Sequence, residues 1–214
     1  AFLTCDIGIE KKIWDQMINK AAEISFNAIS VDGETSTNDS FLAVNYGNKI
    51  SNKYLPVIQE GLNYACQYLA KSIARDGEGA NCLLEVIILG TKNDSDAMRI
   101  AKCIVNSSLV KTAIHGCDPN WGRIISAAGN AGVHFQLSDI DLFIADFEIL
   151  HQGKLQKYDE NKIIEYMKAK MNGNYLLDDT IQIKLKINSG NGEAKAWGCD
   201  LSKQYIEINS EYTT

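Results

Sequence analysis

Apolar residues recur every three or four positions in several segments of the chain, and this spacing is typical of amphipathic helices. The helices that it predicts cover 13–28, 58–73, 94–105, 123–131 and 163–171. Asp94 or Ser95 is expected to cap the third helix, since short polar side chains accept hydrogen bonds from the first turn. The glycines of Arg75-Asp-Gly-Glu-Gly-Ala80 are expected to end the second helix.

Short apolar or alternating runs between these helices predict strands. The expected strands are 1–7, 41–45, 83–89, 109–114, 133–137, 142–150, 181–187, 194–197 and 205–208. The turn residues of 188–192 predict that the strands on either side of them form a hairpin. Alternation of strands and helices predicts an α/β (α+β) fold with layered sheets between helices. Residues 1–214 are expected to form one subunit, and a smaller C-terminal subdomain that begins at about residue 140 is an open alternative.

Composition narrows the function classes. The net charge of −6 disfavours nucleic acid as a partner. No apolar run approaches the roughly 20 residues that a membrane-spanning helix needs.

The six cysteines are scattered and lie mostly within apolar segments, which predicts reduced thiols and a cytoplasmic protein. His115, His134 and His151 lack the spacing of a structural zinc site, so no metal is expected. Cys117 follows His115 closely, and chance explains that better than a catalytic pair.

One segment, Val31-Asp-Gly-Glu-Thr-Ser-Thr-Asn-Asp-Ser40, is almost entirely polar. Its carboxylate and amide oxygens are suitable ligands for a hard cation such as calcium, but the spacing is not that of an EF-hand. The alternative is a loop whose side chains satisfy their own backbone, and composition alone favours that alternative.

Two further blocks allow both a functional and a structural interpretation. In Arg75-Asp-Gly-Glu-Gly-Ala80, Glu78 between two glycines can meet a ligand ammonium, or it can be a solvated residue after a helix. In Asp118-Pro-Asn-Trp-Gly-Arg123, Arg123 can bind a carboxylate or pair with Asp118 to hold the turn. Neither block decides the function by itself.

Taken together, these blocks resemble one family, the bifunctional ornithine acetyltransferases (glutamate N-acetyltransferases) of arginine biosynthesis, in their C-terminal β chain. The segments that carry the resemblance are Ala1-Phe-Leu-Thr-Cys-Asp6, Ser25-Phe-Asn27, Val31–Asp39, Arg75–Ala80, Asp118–Arg123 and Ile208-Asn-Ser-Glu-Tyr-Thr-Thr214. They span essentially the whole of 1–214, and the polar loop and the Asp-Pro-Asn-Trp-Gly-Arg block are the most specific.

The resemblance implies a chemistry. Members of this family are made as one precursor that cuts itself before a threonine, and that new N-terminal threonine is the nucleophile. It takes acetyl from N2-acetylornithine, forms an acyl-enzyme and passes the acetyl group to L-glutamate. The fold is similar to that of N-terminal-nucleophile hydrolases, with different connectivity. The threonine is expected just upstream of Ala1, so no catalytic residue is expected within this numbering, and Thr4 does not replace it.

The resemblance also implies three substrate-binding residues, which are Glu78, Asn209 and Thr214. Asn81-Cys82 departs from the family, whose members often have Thr-Lys there. No cofactor is expected, and acetyl-CoA stays open as an alternative acetyl donor. The implied partners are the α chain of the same precursor and an assembly of α2β2 or larger.

Two rival functions remain open at this point. One is a related self-processing aminopeptidase or amidase, which would pass the acyl group to water. The other is a non-catalytic partner subunit, and a chain without the nucleophilic threonine would be consistent with it. The retained Glu78, Asn209 and Thr214 favour the transferase over the second rival.

Overall fold

The computed structural model describes residues 1–211 and divides them into two compact units. The first unit comprises 1–27 and 34–70, and the second comprises 28–33 and the rest of the chain from residue 71. Both sides of residue 140 therefore lie in the second unit. The elements confirm the predicted mixture of strands and helices.

The first unit holds a two-stranded parallel sheet, formed by β1 (Phe2–Gly8) and β2 (Leu42–Lys49). Two helices accompany it, α1 (Lys11–Glu23) and the first part of α2 (Leu55–Arg75), together with a 3₁₀ turn at Asn52–Tyr54. A further 3₁₀ turn, Phe26–Ala28, begins in the first unit and ends with the first residue of the second. Its core is small and is built mainly by the helices, through the buried residues Trp14, Met17, Ala21, Leu62 and Cys66.

The second unit is built on a six-stranded mixed sheet in the order β6-β5-β4-β7-β3-β8. The strands are β3 (Leu83–Thr91), β4 (Ile140–Ile144), β5 (Phe147–His151), β6 (Lys154–Leu155), β7 (Thr180–Ile187) and β8 (Gly192–Cys199). The helices are the end of α2, α3 (Asp94–Asn106), α4 (Ser108–His115), α5 (Trp121–Gly129), α6 (Glu160–Met171) and α7 (Lys203–Glu211).

The core of the second unit sits between this sheet and its helices. Leu84, Val86 and Ile88 of β3 are buried in one large apolar cluster with residues of α3, α5 and α6. Leu83 belongs instead to a small cluster with Trp197 of β8. This alternation along β3 is expected for a strand buried on both faces, and it confirms the predicted layered α/β fold.

Several predicted strands are wrong. Residues 109–114 form α4, because the Ser107 hydroxyl caps that helix by accepting from the Val110 N–H at 3.3 Å. Residues 205–208 lie in α7, and 133–137 form no strand. Residues 142–150 contain the end of β4 and most of β5, with Ala145 between them at a φ of 51°.

The predicted hairpin between 181–187 and 194–197 is also wrong. Strand β3 lies between the two, parallel to β7 and antiparallel to β8. The cap of α3 is Asn93, whose side chain accepts from the Asp96 N–H at 2.9 Å, and not Asp94 or Ser95. Within residues 1–211, no helix is long and apolar enough to cross a membrane.

Candidate active site

The candidate site joins two segments of the second unit that are far apart in sequence. One is the segment 76–82 that follows α2, called here the Glu78 loop, and the other is α7. The side-chain amide of Asn209 donates a hydrogen bond to a carboxylate oxygen of Glu78, and also to the Tyr205 carbonyl at 2.9 Å. Two of the three residues predicted to bind substrate thus meet at an exposed position, while Thr214 lies outside the described residues.

Close packing between the Glu78 loop and the start of α7 explains the second glycine of the Gly-Glu-Gly sequence. Gly79 has a φ of 68°, a conformation that other residues adopt only with strain. A β-carbon there would lie 2.6 Å from Ser202 Oγ and 2.9 Å from the backbone nitrogen of Tyr205. Only glycine therefore allows the loop to approach the helix this closely.

Arg75 fixes the beginning of the Glu78 loop from the last position of α2. Its Nε donates to Asp179 Oδ2 at 2.5 Å, and another guanidinium nitrogen donates to the Ala80 carbonyl at 3.0 Å. The Asp179 carboxylate is fully buried and also accepts from the Leu176 N–H at 3.0 Å. Arg75 was singled out in the sequence only as part of a glycine-rich block, and its role here is to hold that block.

Comparison with known proteins identifies the family. The whole chain, residues 1–214, matches the model described as the ArgJ family. The chain belongs to the ArgJ family. This confirms the resemblance that the sequence blocks carry.

The ArgJ relatives are similar over all of this chain. "Arginine biosynthesis bifunctional protein ArgJ" of Prochlorococcus marinus subsp. pastoris is 64% identical over 214 residues, which are 100% of this chain and 53% of that protein. "Arginine biosynthesis bifunctional protein ArgJ 1" of Nostoc sp. is 47% identical over 220 residues, again 100% of this chain and 53% of that protein. The chain therefore spans about half the length of the curated relatives it matches.

A solved ArgJ structure shares the fold. The crystal structure of "Arginine biosynthesis bifunctional protein argJ" from Bacillus halodurans superposes with a TM-score of 0.89 at 37% sequence identity. The match covers 99% of this chain and 98% of that chain. The predicted likeness to the layered fold of N-terminal-nucleophile hydrolases holds for this ArgJ chain.

The sequence did not predict a third hydrogen bond at the candidate site. The Tyr205 hydroxyl donates to Asp32 Oδ2 at 3.1 Å, so α7 is tied to the start of the polar loop as well as to Glu78. The alternation Tyr205-Ile-Glu-Ile208 predicts a strand, which would place residues 205 and 209 on one face but about 13 Å apart along its axis. In the helix these two residues lie on one face only about 6 Å apart along the axis.

The rest of the polar loop satisfies its own backbone, as composition favoured. Ser36 Oγ accepts from the backbone N–H groups of Asn38 and Asp39, each at 3.2 Å. Ser30 Oγ accepts from the Gly33 N–H at 3.0 Å. Turns of this kind are typical of serine-rich and asparagine-rich loops.

The Asp118–Arg123 block has a structural role in α4 and α5. The Asn120 side chain caps α5 by accepting from the Arg123 N–H at 3.2 Å. Arg123 donates to the Leu109 carbonyl at 3.0 Å and to Thr112 Oγ1 at 3.3 Å. Among the residues described, it therefore binds α4, and the proposed pairing with Asp118 is wrong, since Asp118 accepts instead from the Asn120 amide at 3.0 Å.

Burial makes several of the cysteines poor nucleophiles. All six are unpaired, as predicted for reduced thiols. His115 bonds to Asp200 through Nδ1 at 2.8 Å, and within residues 1–211 no hydrogen bond joins it to Cys117. Burial raises the pKa of Cys117, and it also raises the pKa of Cys82 and Cys199. A raised pKa keeps these thiols protonated and poorly nucleophilic.

One surface cluster contains three metal-ligand types. Within residues 1–211, only Asp141, Glu148 and His151 bring three such side chains together, with ligand atoms within 4.8 Å of one another. His151 Nδ1 lies 2.9 Å from Glu148 Oε1 and 3.3 Å from Asp141 Oδ1. These contacts join side chains of the β4–β5 hairpin to one another, and the expectation that the chain needs no metal stays a prediction.

Proposed function

We propose that this chain is the β chain of a self-processed acetyltransferase, which moves acetyl from N2-acetylornithine to L-glutamate in arginine biosynthesis. Membership of the ArgJ family supports this, as do relatives named as bifunctional proteins of arginine biosynthesis. The pairing of Glu78 with Asn209 is the observation that carries the proposal, because it joins two residues that the family resemblance assigns to substrate binding.

The chemistry proceeds through a threonine that precedes Ala1. An amide carbonyl is a poor electrophile, and a covalent ester splits one difficult transfer into two easier steps. In the first step the threonine hydroxyl attacks the acetyl carbonyl, and the amine of ornithine leaves with the proton. In the second step the α-amine of glutamate attacks the ester and frees the threonine hydroxyl. The α-amine of an N-terminal threonine serves as the base, which requires self-cleavage first.

Glu78 provides the charge that recognises these substrates. N2-acetylornithine carries an ammonium group on its side chain. Glutamate arrives with an α-ammonium group, which must lose a proton before its nitrogen attacks the ester. A carboxylate is the natural partner of either ammonium. Both N–H groups of the Asn209 amide are engaged, one by Glu78 and one by the Tyr205 carbonyl, so Asn209 holds the Glu78 carboxylate in one orientation. Glu78 is exposed, so that it can still receive a ligand ammonium. Thr214 completes the proposed set from the C-terminal segment.

The remaining expectations belong to the same proposal. They are an α chain from the same precursor as partner, an assembly of α2β2 or larger, and a cytoplasmic location without a cofactor. Acetyl-CoA as a second acetyl donor is a separate prediction, which a direct assay with acetyl-CoA and glutamate tests.

Intact mass spectrometry of the complete enzyme tests the covalent step. On incubation with N2-acetylornithine alone, a β chain that starts at the proposed threonine should gain one acetyl group, and added glutamate should remove it as N-acetylglutamate. Loss of the acetyl group to water at the same rate, with or without glutamate, would favour the amidase. A chain that never gains acetyl would contradict the proposal.

Replacement of Glu78 by glutamine tests the binding role. We expect Glu78→Gln to lower kcat/KM by about 100-fold, because a charge-assisted hydrogen bond contributes about 1.5–3 kcal/mol. Glu165→Gln is the matched control, since Glu165 is an exposed glutamate on α6 and the same charge is removed. Equal kinetics for the two variants would remove Glu78 from the site.

A further inference from the structure

We propose that Asp200 and His115 form a positioning pair, which holds the Glu78 loop and the start of α7 in the arrangement that binds substrate. The inference rests on the proposed function for its kinetic consequence. Within residues 1–211, no hydrogen bond or ion pair joins either residue to Glu78 or Asn209, so both act through the backbone that they anchor. They are positioning residues and not catalytic ones.

The buried carboxylate of Asp200 accepts four hydrogen bonds. It has 0% exposure. Oδ1 accepts from the backbone N–H groups of Asn81 at 2.7 Å and Cys82 at 3.1 Å. Oδ2 accepts from the Asn81 side-chain amide at 3.0 Å and from His115 Nδ1 at 2.8 Å. Because an unpaired buried carboxylate is very unfavourable, these four donors and the carboxylate require one another.

Three of these four donors belong to the end of the Glu78 loop. The fourth, His115, is the last residue of α4 and is partly exposed. The Asn81 amide also donates to the Gly79 carbonyl at 3.2 Å, which extends the network to the residue next to Glu78. Asn81 is therefore the residue that connects Asp200 to the loop.

Helix α4 holds Asp200 from the other side. Lys111 is buried, and its ammonium donates to the Cys199 carbonyl at 2.6 Å. The Leu201 N–H donates to the Lys111 carbonyl at 3.2 Å. Both neighbours of Asp200 are thus fixed to one turn of α4, and His115 lies one turn further along the same helix. The carboxylate has little freedom to follow the loop if the loop moves.

The same network reaches Asn209. Two residues after Asp200, the Ser202 hydroxyl accepts from the Tyr205 N–H at 3.4 Å in the first turn of α7. Gly79 packs against this turn at Ser202 and Tyr205. Asp200 therefore sits where the Glu78 loop and α7 are joined, and it determines the distance between the two side chains that meet at the site.

Replacement of Asp200 itself would test folding more than positioning, because it leaves four hydrogen-bond donors without their acceptor. His115 is the better target because it is partly exposed and contributes one bond. His115→Leu removes the Nδ1 donor, and His115→Asn returns an N–H donor to nearly the same place. His151→Leu is the matched control, because it removes a histidine bonded to carboxylates on the β4–β5 hairpin.

The experiment uses the complete enzyme and two readouts. The first is hydrogen exchange of the segment 76–82 by mass spectrometry, which needs no substrate. The second is KM and kcat for N2-acetylornithine. For His115→Leu we expect about tenfold faster exchange in this segment and about tenfold higher KM, with kcat nearly unchanged. His115→Asn should restore both values, and His151→Leu should change neither.

Three outcomes would overturn the inference. Unchanged exchange at 76–82 in His115→Leu would show that the pair does not order the loop. Faster exchange with unchanged KM would show that its order is irrelevant to substrate. A similar change in His151→Leu would show a general loss of stability. If the wild-type enzyme transfers no acetyl at all, the proposed function fails, and the exchange readout still decides whether the pair orders the loop.

Discussion

The Glu78 loop and the Asp118–Arg123 turn look alike in sequence and differ in what they contact. Both are short polar segments with glycine, and an arginine holds each of them. The Glu78 loop bonds to Asp200 and Asn209, more than 100 positions away, and Arg75, which precedes the loop, bonds to Asp179. The turn bonds to residues no more than 14 positions away, such as Leu109. The first brings distant segments to one place, and the second shapes the ends of two neighbouring helices.

A motif that identifies a family well is therefore not always a motif that takes part in function. The Asp-Pro-Asn-Trp-Gly-Arg block is among the most specific signs of the family, yet its contacts are those of a helix cap. The Gly-Glu-Gly block is less specific, yet it meets α7. A motif can persist because a fold needs it, so its role has to be read from the contacts it makes.

Arg75 and Arg123 give the largest contrast between the two regions. Arg75→Gln leaves the fully buried Asp179 carboxylate without its charged partner, which should lower the free energy of unfolding by about 3–5 kcal/mol. Arg123→Gln removes bonds to neutral acceptors at a partly exposed position, so the loss should be about 1 kcal/mol or less. Urea unfolding of both variants measures the difference, and equal losses would contradict the comparison.

Gly79 provides the next largest effect. Gly79→Ala combines an unfavourable φ with overlap against Ser202 and Tyr205, and should cost about 2–4 kcal/mol by thermal or urea unfolding. Because the strain is relieved by moving the loop from α7, the variant should also lose acetyl transfer. Gly33→Ala is a suitable control, since its φ is 90° but a β-carbon would meet nothing within 4 Å. If both variants lose the same stability, overlap with α7 has no part in the effect.

Sequence predicted those parts of the fold in which local pattern and tertiary environment agree. The amphipathic repeats became α1, α2 and α6, and the apolar run at 83–89 became the central strand β3. The failures are short segments. A run such as Leu109–Ile114 fits a buried strand or a buried helix equally well, and the cap at Ser107 decided for helix.

The geometry of the candidate site was not predictable from the sequence. The family resemblance supplied Glu78 and Asn209 as a prediction, and Asp32 belonged to the polar loop, whereas Tyr205, His115 and Asp200 carry no local signal. Asp200 looks like a polar residue at the end of a strand, and its role depends on the Glu78 loop reaching it across 119 positions. The insertion of β3 between β7 and β8 likewise depends on long-range pairing that turn chemistry at 188–192 does not reveal.

The cap of α5 should give a moderate and purely structural effect. Asn120→Ala removes the side-chain acceptor for the Arg123 N–H, and loss of such a cap costs about 1 kcal/mol. KM and kcat should stay at wild-type values, because the cap contacts neither the Glu78 loop nor α7. Asn120→Asp retains the acceptor and should recover most of the lost stability by the same unfolding assay. A large rise in KM for Asn120→Ala would assign the turn to the substrate site.

Gly122 gives the smallest effect, and its sign is opposite to that at Gly79. Gly122 lies in the first turn of α5, and a β-carbon there would meet only Asn120 Oδ1 at 3.6 Å, an ordinary contact. Alanine loses less backbone entropy on folding than glycine, so Gly122→Ala should stabilise the protein by about 0.5–1 kcal/mol in urea unfolding. A loss of stability there would mean that the turn needs its glycine as strictly as the Glu78 loop does. The same substitution would then fail in both regions, and the distinction between a helix cap and a junction of distant segments would not hold.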